Sequence, residues 1–173
     1  MRPIALALCA GLIASPAAAQ RDVGPEAAAS AFQEAVTSIC VPAVEAGGVS
    51  ALPATAKAKV RASSDATTRQ QAGAAADETV WDMVSAKGVV VIREKRGRCV
   101  ASVYGPPVVP TILNVAQGLS AAGFERLVQA PPPNGFGQTL SGKGMMIQFN
   151  GSEPGMPGHR ANSSVVTATV FGR

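Results

Sequence analysis

The chain is poor in the residues from which catalytic and metal sites are usually built. Its 173 residues include one histidine, His159, and three cysteines, and neither a CxxC nor a DxDxDG pattern occurs. Zinc sites usually draw several ligands from Cys and His, and calcium loops need closely spaced carboxylates. We therefore expect no metal and no cofactor. A hydrolase-type enzyme would have to use His159 or carboxylates near the Gly-rich loops.

Charge is also scarce, since only 15% of the residues are charged and the net charge is +4. Four of the fifteen basic residues lie in one short turn, at Arg93, Lys95, Arg96 and Arg98. Basic residues spread over a surface would indicate nucleic acid, so we do not expect that partner. The favoured interpretation of the turn is a solvated bend. The alternative is a tip that binds an anionic envelope component or another protein.

The N-terminal apolar run is too short for a membrane span, which takes about 20 apolar residues. Residues 4–14 are apolar and are followed by a proline and by three alanines that end at Ala19. This layout is typical of a secretory signal peptide cleaved after an A-x-A site. We expect cleavage near Ala19/Gln20, which removes residues 1–19 together with Cys9. The mature chain is then periplasmic or secreted, without a transmembrane anchor.

Removal of the signal leaves two cysteines, Cys40 and Cys99. An even number of cysteines in an oxidising compartment predicts a disulfide, and two buried free thiols are the alternative. Arg96 and Arg98 stand beside Cys99, and positive charge favours a reactive thiolate. Because Cys40 is available as a partner, the disulfide is the favoured interpretation.

Hydrophobic periodicity predicts a helix from Pro25 to Cys40. Phe32, Val36, Ile39 and Cys40 recur at helical spacing, so Cys40 belongs to the buried stripe.

The chain that follows predicts a single domain over residues 20–173 that contains one weakly apolar stretch. Residues 50–76 are mostly Ala, Thr, Ser, Lys and Gln, so they bury little surface and predict a solvent-facing helix or a mobile loop. Residues 79–84 predict a short helix or packed segment with Trp81 as an anchor.

Residues 89–104 predict a β-hairpin, because β-branched residues flank a turn that contains Gly97. The loop has two or three residues, and the choice shifts the pairing by one position. The two-residue loop places five side chains on one face: Val90, Ile92, Cys99, Ala101 and Val103.

The remaining chain predicts one helix, over residues 110–123, and three strands, over residues 124–130, 144–150 and 163–171. Residues 131–144 read as a Pro/Gly loop. The fold class is therefore α+β, with an antiparallel sheet of about five strands in a ββαβββ core preceded by N-terminal helices. This order resembles profilin-like and roadblock-like sheets, which carry many unrelated functions.

One sequence motif resembles a nucleotide-binding phosphate loop but lacks features that such a loop needs. Residues 137–143 satisfy GxxxxGK, but a phosphate loop needs Ser or Thr next and then a helix N-terminus. Gly144 follows instead, ahead of a predicted strand. We interpret the motif as a loop between strands.

A helix-borne cysteine, in Ile39-Cys40, and a second one behind a hairpin turn, in Gly97-Arg98-Cys99-Val100, resemble exported proteins and lipoproteins of Gram-negative bacteria that have no assigned activity. The resemblance covers residues 31–123. It implies an envelope location and a disulfide, although this chain lacks the acylated cysteine of the lipoproteins. The function we expect is that of an exported, non-catalytic binding or envelope accessory protein; the hydrolase described above is the alternative.

Overall fold

The computed structural model describes residues 23–128, 135–157, 159 and 161–172. The predicted signal peptide and its cleavage site lie outside the described residues. The described helices are α1 (Pro25–Glu34), α2 (Val41–Ala46), α3 (Ala54–Lys57), α4 (Ala66–Gln71) and α5 (Val108–Ala121). The described strands are β1 (Val60–Ala62), β2 (Thr79–Met83), β3 (Val90–Lys95), β4 (Arg98–Tyr104), β5 (Glu125–Leu127), β6 (Phe136–Gly142), β7 (Met145–Ser152) and β8 (Val165–Gly172).

The described strands form one antiparallel sheet of eight, in the order β1-β2-β3-β4-β8-β7-β6-β5. Two four-stranded meanders therefore meet where β4 pairs with β8. The predicted α+β class, the antiparallel sheet and the N-terminal helices are confirmed, whereas the expected number of about five strands is wrong. The strands beyond those expected are β1, β2 and β6.

Pairing with neighbours explains the unexpected strands. The segment predicted as a short helix is β2, whose Trp81 lies opposite Ala62 of β1 and Ile92 of β3. The whole of β6 falls in the predicted Pro/Gly loop, and it pairs with β5 and β7. Glycine weakens a strand by itself, so β6 owes its conformation to the strands on either side.

The N-terminal helix continues through a π-helical segment, Ala35–Cys40, into α2. The N–H of Val41 donates to the carbonyl of Val36, one residue further back than in an α-helix. The wider turn lies where Pro42, which lacks an N–H, would otherwise press on the preceding turn of an α-helix. The predicted helix is confirmed, and it runs on to Ala46.

The continuous helical segment Pro25–Ala46 has the length and apolar composition of a membrane span. Its large apolar side chains, Phe32 and Ile39, are nevertheless completely buried in the core that the helices form with the sheet. A core helix satisfies the same criterion of length and composition, and the packing identifies this one as a core element.

The hairpin β3–β4 has the two-residue loop, because Lys95 pairs with Arg98. Gly97 has a φ of 74°, a conformation that glycine adopts without strain. The five side chains assigned to one face by this register are all buried beneath the helices: Val90, Ile92, Cys99, Ala101 and Val103.

Helix α5 covers β6, β7 and β8 on the same face as α1. The packing of α5 on β7 requires a glycine at position 151, because a Cβ there would lie 2.2 Å from Cγ1 of Val108. Gly151 thus lets the first turn of α5 approach the end of β7, and this contact sets the position of the helix.

Residues 50–76 contain α3, β1 and α4. Ala72, just after α4, packs on Val80 and Val91 on the sheet face away from α1 and α5. The hydroxyl of Tyr104 donates to the carbonyl of Gln71 at 3.2 Å. The segment predicted as a solvent-facing helix or mobile loop therefore covers part of the second face.

Candidate functional site

A disulfide joins Cys40 and Cys99, as predicted. Their Cα atoms are 5.2 Å apart, within the usual range for a disulfide, and both residues are completely buried. The bond joins the π-helical segment to β4 and closes a separation of 59 residues. The loop-entropy relation gives it a contribution of about 4 kcal/mol to stability.

A carboxylate reinforces this junction from within the basic hairpin. Glu94 lies opposite Cys99 in the hairpin and therefore faces the helices. Its Oε1 accepts the N–H of Val49 at 2.8 Å, and its Oε2 accepts the indole N–H of Trp81 at 3.0 Å. One side chain thus ties β3 to β2 and to the turn after α2.

The predicted basic tip meets two further carboxylates. Glu78 lies 3.4 Å from Nη1 of Arg93 and 3.9 Å from Nη1 of Arg98, and Asp77 pairs with Lys95. The Glu78 side chain is only 5% exposed, so the contacts with arginine compensate a nearly buried charge.

The loop before β2 therefore occupies much of the cationic surface that the sequence predicts. Arg93 also donates to the carbonyl of Gly73 at 2.9 Å. Arg96 is exposed and has no ion-pair or hydrogen-bond partner within the described part of the chain. The tip consists of four cations interleaved with carboxylates, and Arg96 is its most available charge.

A groove of about 680 Å³ opens between α1 and α5. The two helices run in the same direction and meet near Gln33 and Gly118, where Nε2 of Gln33 lies 3.6 Å from the position of a Cβ on Gly118. The N-terminal parts of both helices line the groove. The described lining residues are Gly24, Pro25, Glu26, Ala29, Ser30, Gln33, Pro107, Pro110, Thr111, Asn114 and Val115.

The groove is mainly apolar with a few polar groups along its walls. Ser30, Gln33 and Asn114 have side chains without a hydrogen-bond partner among the described residues, so they are free to bind a ligand. Glu26 is the one charged residue of the described lining. It lies in the first turn of α1, where its negative charge complements the helix dipole.

His159 lies beyond the end of β7, where the chain folds back toward β8. Its Nδ1 is 2.9 Å from Oγ of Ser152, and its Nε2 is 3.0 Å from the carbonyl oxygen of Ser163. The nearest carboxylate in sequence, Glu153, accepts the N–H of Val108 at 3.2 Å and so caps α5. The structure thus brings His159 to a serine and leaves Glu153 in a structural role.

The GxxxxGK motif has no phosphate-loop geometry. Its residues 137–142 lie on β6, and Lys143, with a φ of 51°, and Gly144 form the turn into β7. No helix N-terminus follows to direct N–H groups at a phosphate. The expectation of a loop is wrong for β6 and correct for the turn.

The described residues contain no group of three or more His, Cys, Asp or Glu side chains placed to hold a metal ion. Comparison of the chain with protein-family models, with curated proteins and with solved structures finds no match. The resemblance to exported proteins of Gram-negative bacteria stays a prediction.

Sequence reasoning missed both the groove and the Ser152–His159 contact. The groove is lined by Pro, Ala, Thr and Asn on two helices far apart in the chain, and no motif marks such residues. Ser152 and His159 are separated by a loop without a recognisable pattern. The hydrogen bond depends on the tertiary position of His159, which no local pattern contains.

Proposed function

We propose that the protein is an exported binding protein that holds a small, mainly apolar ligand in the groove between α1 and α5. The groove itself carries the proposal, since its volume of about 680 Å³ falls within the range of roughly 300–1,000 Å³ typical of small-molecule sites. A few polar groups on apolar walls are also typical of such sites.

The charges define the ligand further. Glu26 is the single charged group of the described lining, so a carboxylate or phosphate on the ligand would be repelled. Ser30, Gln33 and Asn114 supply hydrogen-bond donors and acceptors. The ligand that fits is an apolar molecule with a hydroxyl, amide or amine group and no negative charge.

Filling the groove tests this proposal. Ala29 lines the groove, whereas Ala27 is exposed on the same helix and is not among the lining residues. We expect Ala29→Trp to weaken binding of the uncharged fluorophore N-phenyl-1-naphthylamine at least tenfold, and Ala27→Trp to leave it unchanged. Fluorescence titration measures both. Equal binding by the two variants, with unchanged circular dichroism, would refute the groove as the site.

Export is supported by the signal-like residues 1–19 and by the disulfide. We expect the intact mass of the exported protein to show cleavage after Ala19 and no attached lipid. Alkylation without reductant should label neither Cys40 nor Cys99, and alkylation after reduction should label both. A mass that retains residues 1–19, or two labelled cysteines without reductant, contradicts the proposal.

A role for the tip in binding an anionic envelope component is a separate proposal, supported by the exposure of Arg96. Arg96→Glu reverses this charge without disturbing Glu78 or Asp77. Arg126→Glu, on the exposed strand β5, is the matched control. Retention on vesicles containing anionic lipid should fall for Arg96→Glu alone; equal retention of both variants removes the tip from consideration.

A further inference from the structure

A hydroxyl and an imidazole meet on the face of the sheet away from α1 and α5. Gly151 points at α5, and successive residues of a strand alternate between faces, so Ser152 points to the opposite face. His159 approaches it there, with Nδ1 2.9 Å from Oγ. Both residues are partly exposed, which leaves the pair accessible to a small molecule.

The second nitrogen of His159 determines which atom carries the proton. Nε2 lies 3.0 Å from the carbonyl oxygen of Ser163, and a carbonyl only accepts hydrogen bonds. In the neutral ring Nε2 therefore bears the hydrogen and Nδ1 bears the lone pair. The hydroxyl of Ser152 must then donate to Nδ1. This is the arrangement of a nucleophile, a general base and a group that orients the base.

A hydrogen-bond donor lies next to the hydroxyl. The N–H of Glu153 points to the thioether sulfur of Met156 at 3.4 Å, and a thioether is a weak acceptor. A developing oxyanion would compete successfully for this N–H. In serine hydrolases with a nucleophile elbow, the amide of the residue after the nucleophile performs this role.

We propose that Ser152 and His159 form a nucleophile–base pair that hydrolyses small carboxylic esters, a second site independent of the groove. Oγ of Ser152 attacks the acyl carbon while its proton passes to Nδ1 of His159. The bond between the acyl carbon and the alcohol oxygen breaks, the alcohol leaves with that proton, and the acyl group remains on Ser152. Water then attacks the acyl carbon and gives a proton to His159, which returns it to Oγ as the carboxylic acid departs.

The test combines covalent labelling with ester hydrolysis. A fluorophosphonate probe should phosphonylate Ser152, as located by peptide mass spectrometry, and p-nitrophenyl acetate should be hydrolysed with an initial burst. Ser152→Ala should abolish both signals, and His159→Gln should slow labelling at least 100-fold. Ser120→Ala is the matched control, because it removes an exposed serine hydroxyl near the C-terminal end of α5 and should label at the normal rate.

Labelling separates this proposal from catalysis by a free imidazole, which hydrolyses activated esters without a serine. A burst that persists in Ser152→Ala, labelling at another residue, or equal labelling in His159→Gln and the unaltered protein would each overturn the pair. Circular dichroism and the thermal midpoint show whether each variant is folded. Ala29→Trp should leave the labelling rate unchanged, so failure of the groove and failure of the Ser152–His159 pair are distinguished.

Discussion

Glu94 belongs to the basic hairpin, but its hydrogen bonds stabilise the packing of the hairpin on the rest of the fold. Its two oxygens accept one N–H from Val49 and one from Trp81, and hydrogen bonds to a charged group contribute about 1.5–3 kcal/mol each at most. We expect Glu94→Ala to lower the free energy of unfolding by about 1–3 kcal/mol, because a buried donor loses its partner. Urea denaturation followed by Trp81 fluorescence measures the change.

The control is Glu125→Ala, which removes an exposed carboxylate from the edge strand β5 and should change stability by less than about 0.5 kcal/mol. If Glu94→Ala and Glu125→Ala unfold at the same urea concentration, the junction does not depend on Glu94.

Asp65 begins α4 and gives a titration that reports on this helix. Its Oδ2 accepts the hydroxyl and the backbone N–H of Thr68, both at 2.7 Å. The hydroxyl of Thr68 is the main reason that the pKa of Asp65 lies below its ordinary value of 3.8. We expect Thr68→Val to raise this pKa toward 3.8, as measured by carboxyl carbon NMR, and Thr67→Val to leave it in place.

The sign of the pH effect follows from the lowered pKa. A carboxyl with a lower pKa in the folded state stabilises the fold above pH 3.8, and this contribution is lost as the pH falls through the folded value. An Asp65 titration that is the same in Thr68→Val and Thr67→Val would show that the cap does not govern it.

Individual positions could be predicted where they follow a period and could not where they depend on a distant partner. Alternation in the hairpin predicted that Val90 and Ile92 share a face, whereas Ala101 joined them only in the alternative with a two-residue loop, which the structure has. The carboxylates that meet the basic tip, Asp77 and Glu78, directly precede the segment predicted as a short helix or packed segment, and no local pattern connects them with the tip. They reach Arg93 and Lys95 because they lie in the turn directly before β2, and β2 pairs with β3.

The junction between the N-terminal helix and β4 depends on the disulfide. Replacing both cysteines, as Cys40→Ala/Cys99→Ala, should lower the free energy of unfolding by about 4 kcal/mol, because the unfolded chain regains the freedom of a closed loop. Denaturation of the double variant and of the oxidised protein measures the difference. A loss below about 1 kcal/mol would show that helix packing alone holds the junction.

Helices and strands with strong patterns could be predicted, and those shaped by pairing could not. The stripe of Phe32 and Ile39 gave α1 and the π-helical segment, and the β-branched runs gave β3 and β4. Asp82 lies in β2 although it is polar and 6% exposed, and Gly137 lies in β6 although glycine disfavours strands. Their conformation comes from neighbouring strands, which a local pattern does not contain.

The whole sheet consists of two meanders that share β4 and β8 as a centre. Amide hydrogens there are held by strands on both sides, whereas β1 and β5 are three-residue strands at the edges. Local opening at an edge requires less free energy than opening at the centre. We expect hydrogen exchange to be slowest at Ala101 and Ala168 and fastest in β1 and β5.

Exchange followed by NMR tests this order residue by residue. Protection of Arg61 or Arg126 equal to that of Ala101 would mean that the sheet opens as a single unit. Sequence alone did not predict the width of the sheet, because the three-residue edge strand β1 is too short to show a period and because β2 and β6 depend on the strands beside them.

The disulfide between Cys40 and Cys99 also simplifies the oxidative folding of the protein. With residues 1–19 removed as proposed, the chain has two cysteines, and two cysteines allow one intramolecular pairing. Folding then needs an oxidant to form the bond but no isomerase to correct it. In a cell that lacks disulfide isomerase but retains its thiol oxidase, this protein should reach its native state in normal yield.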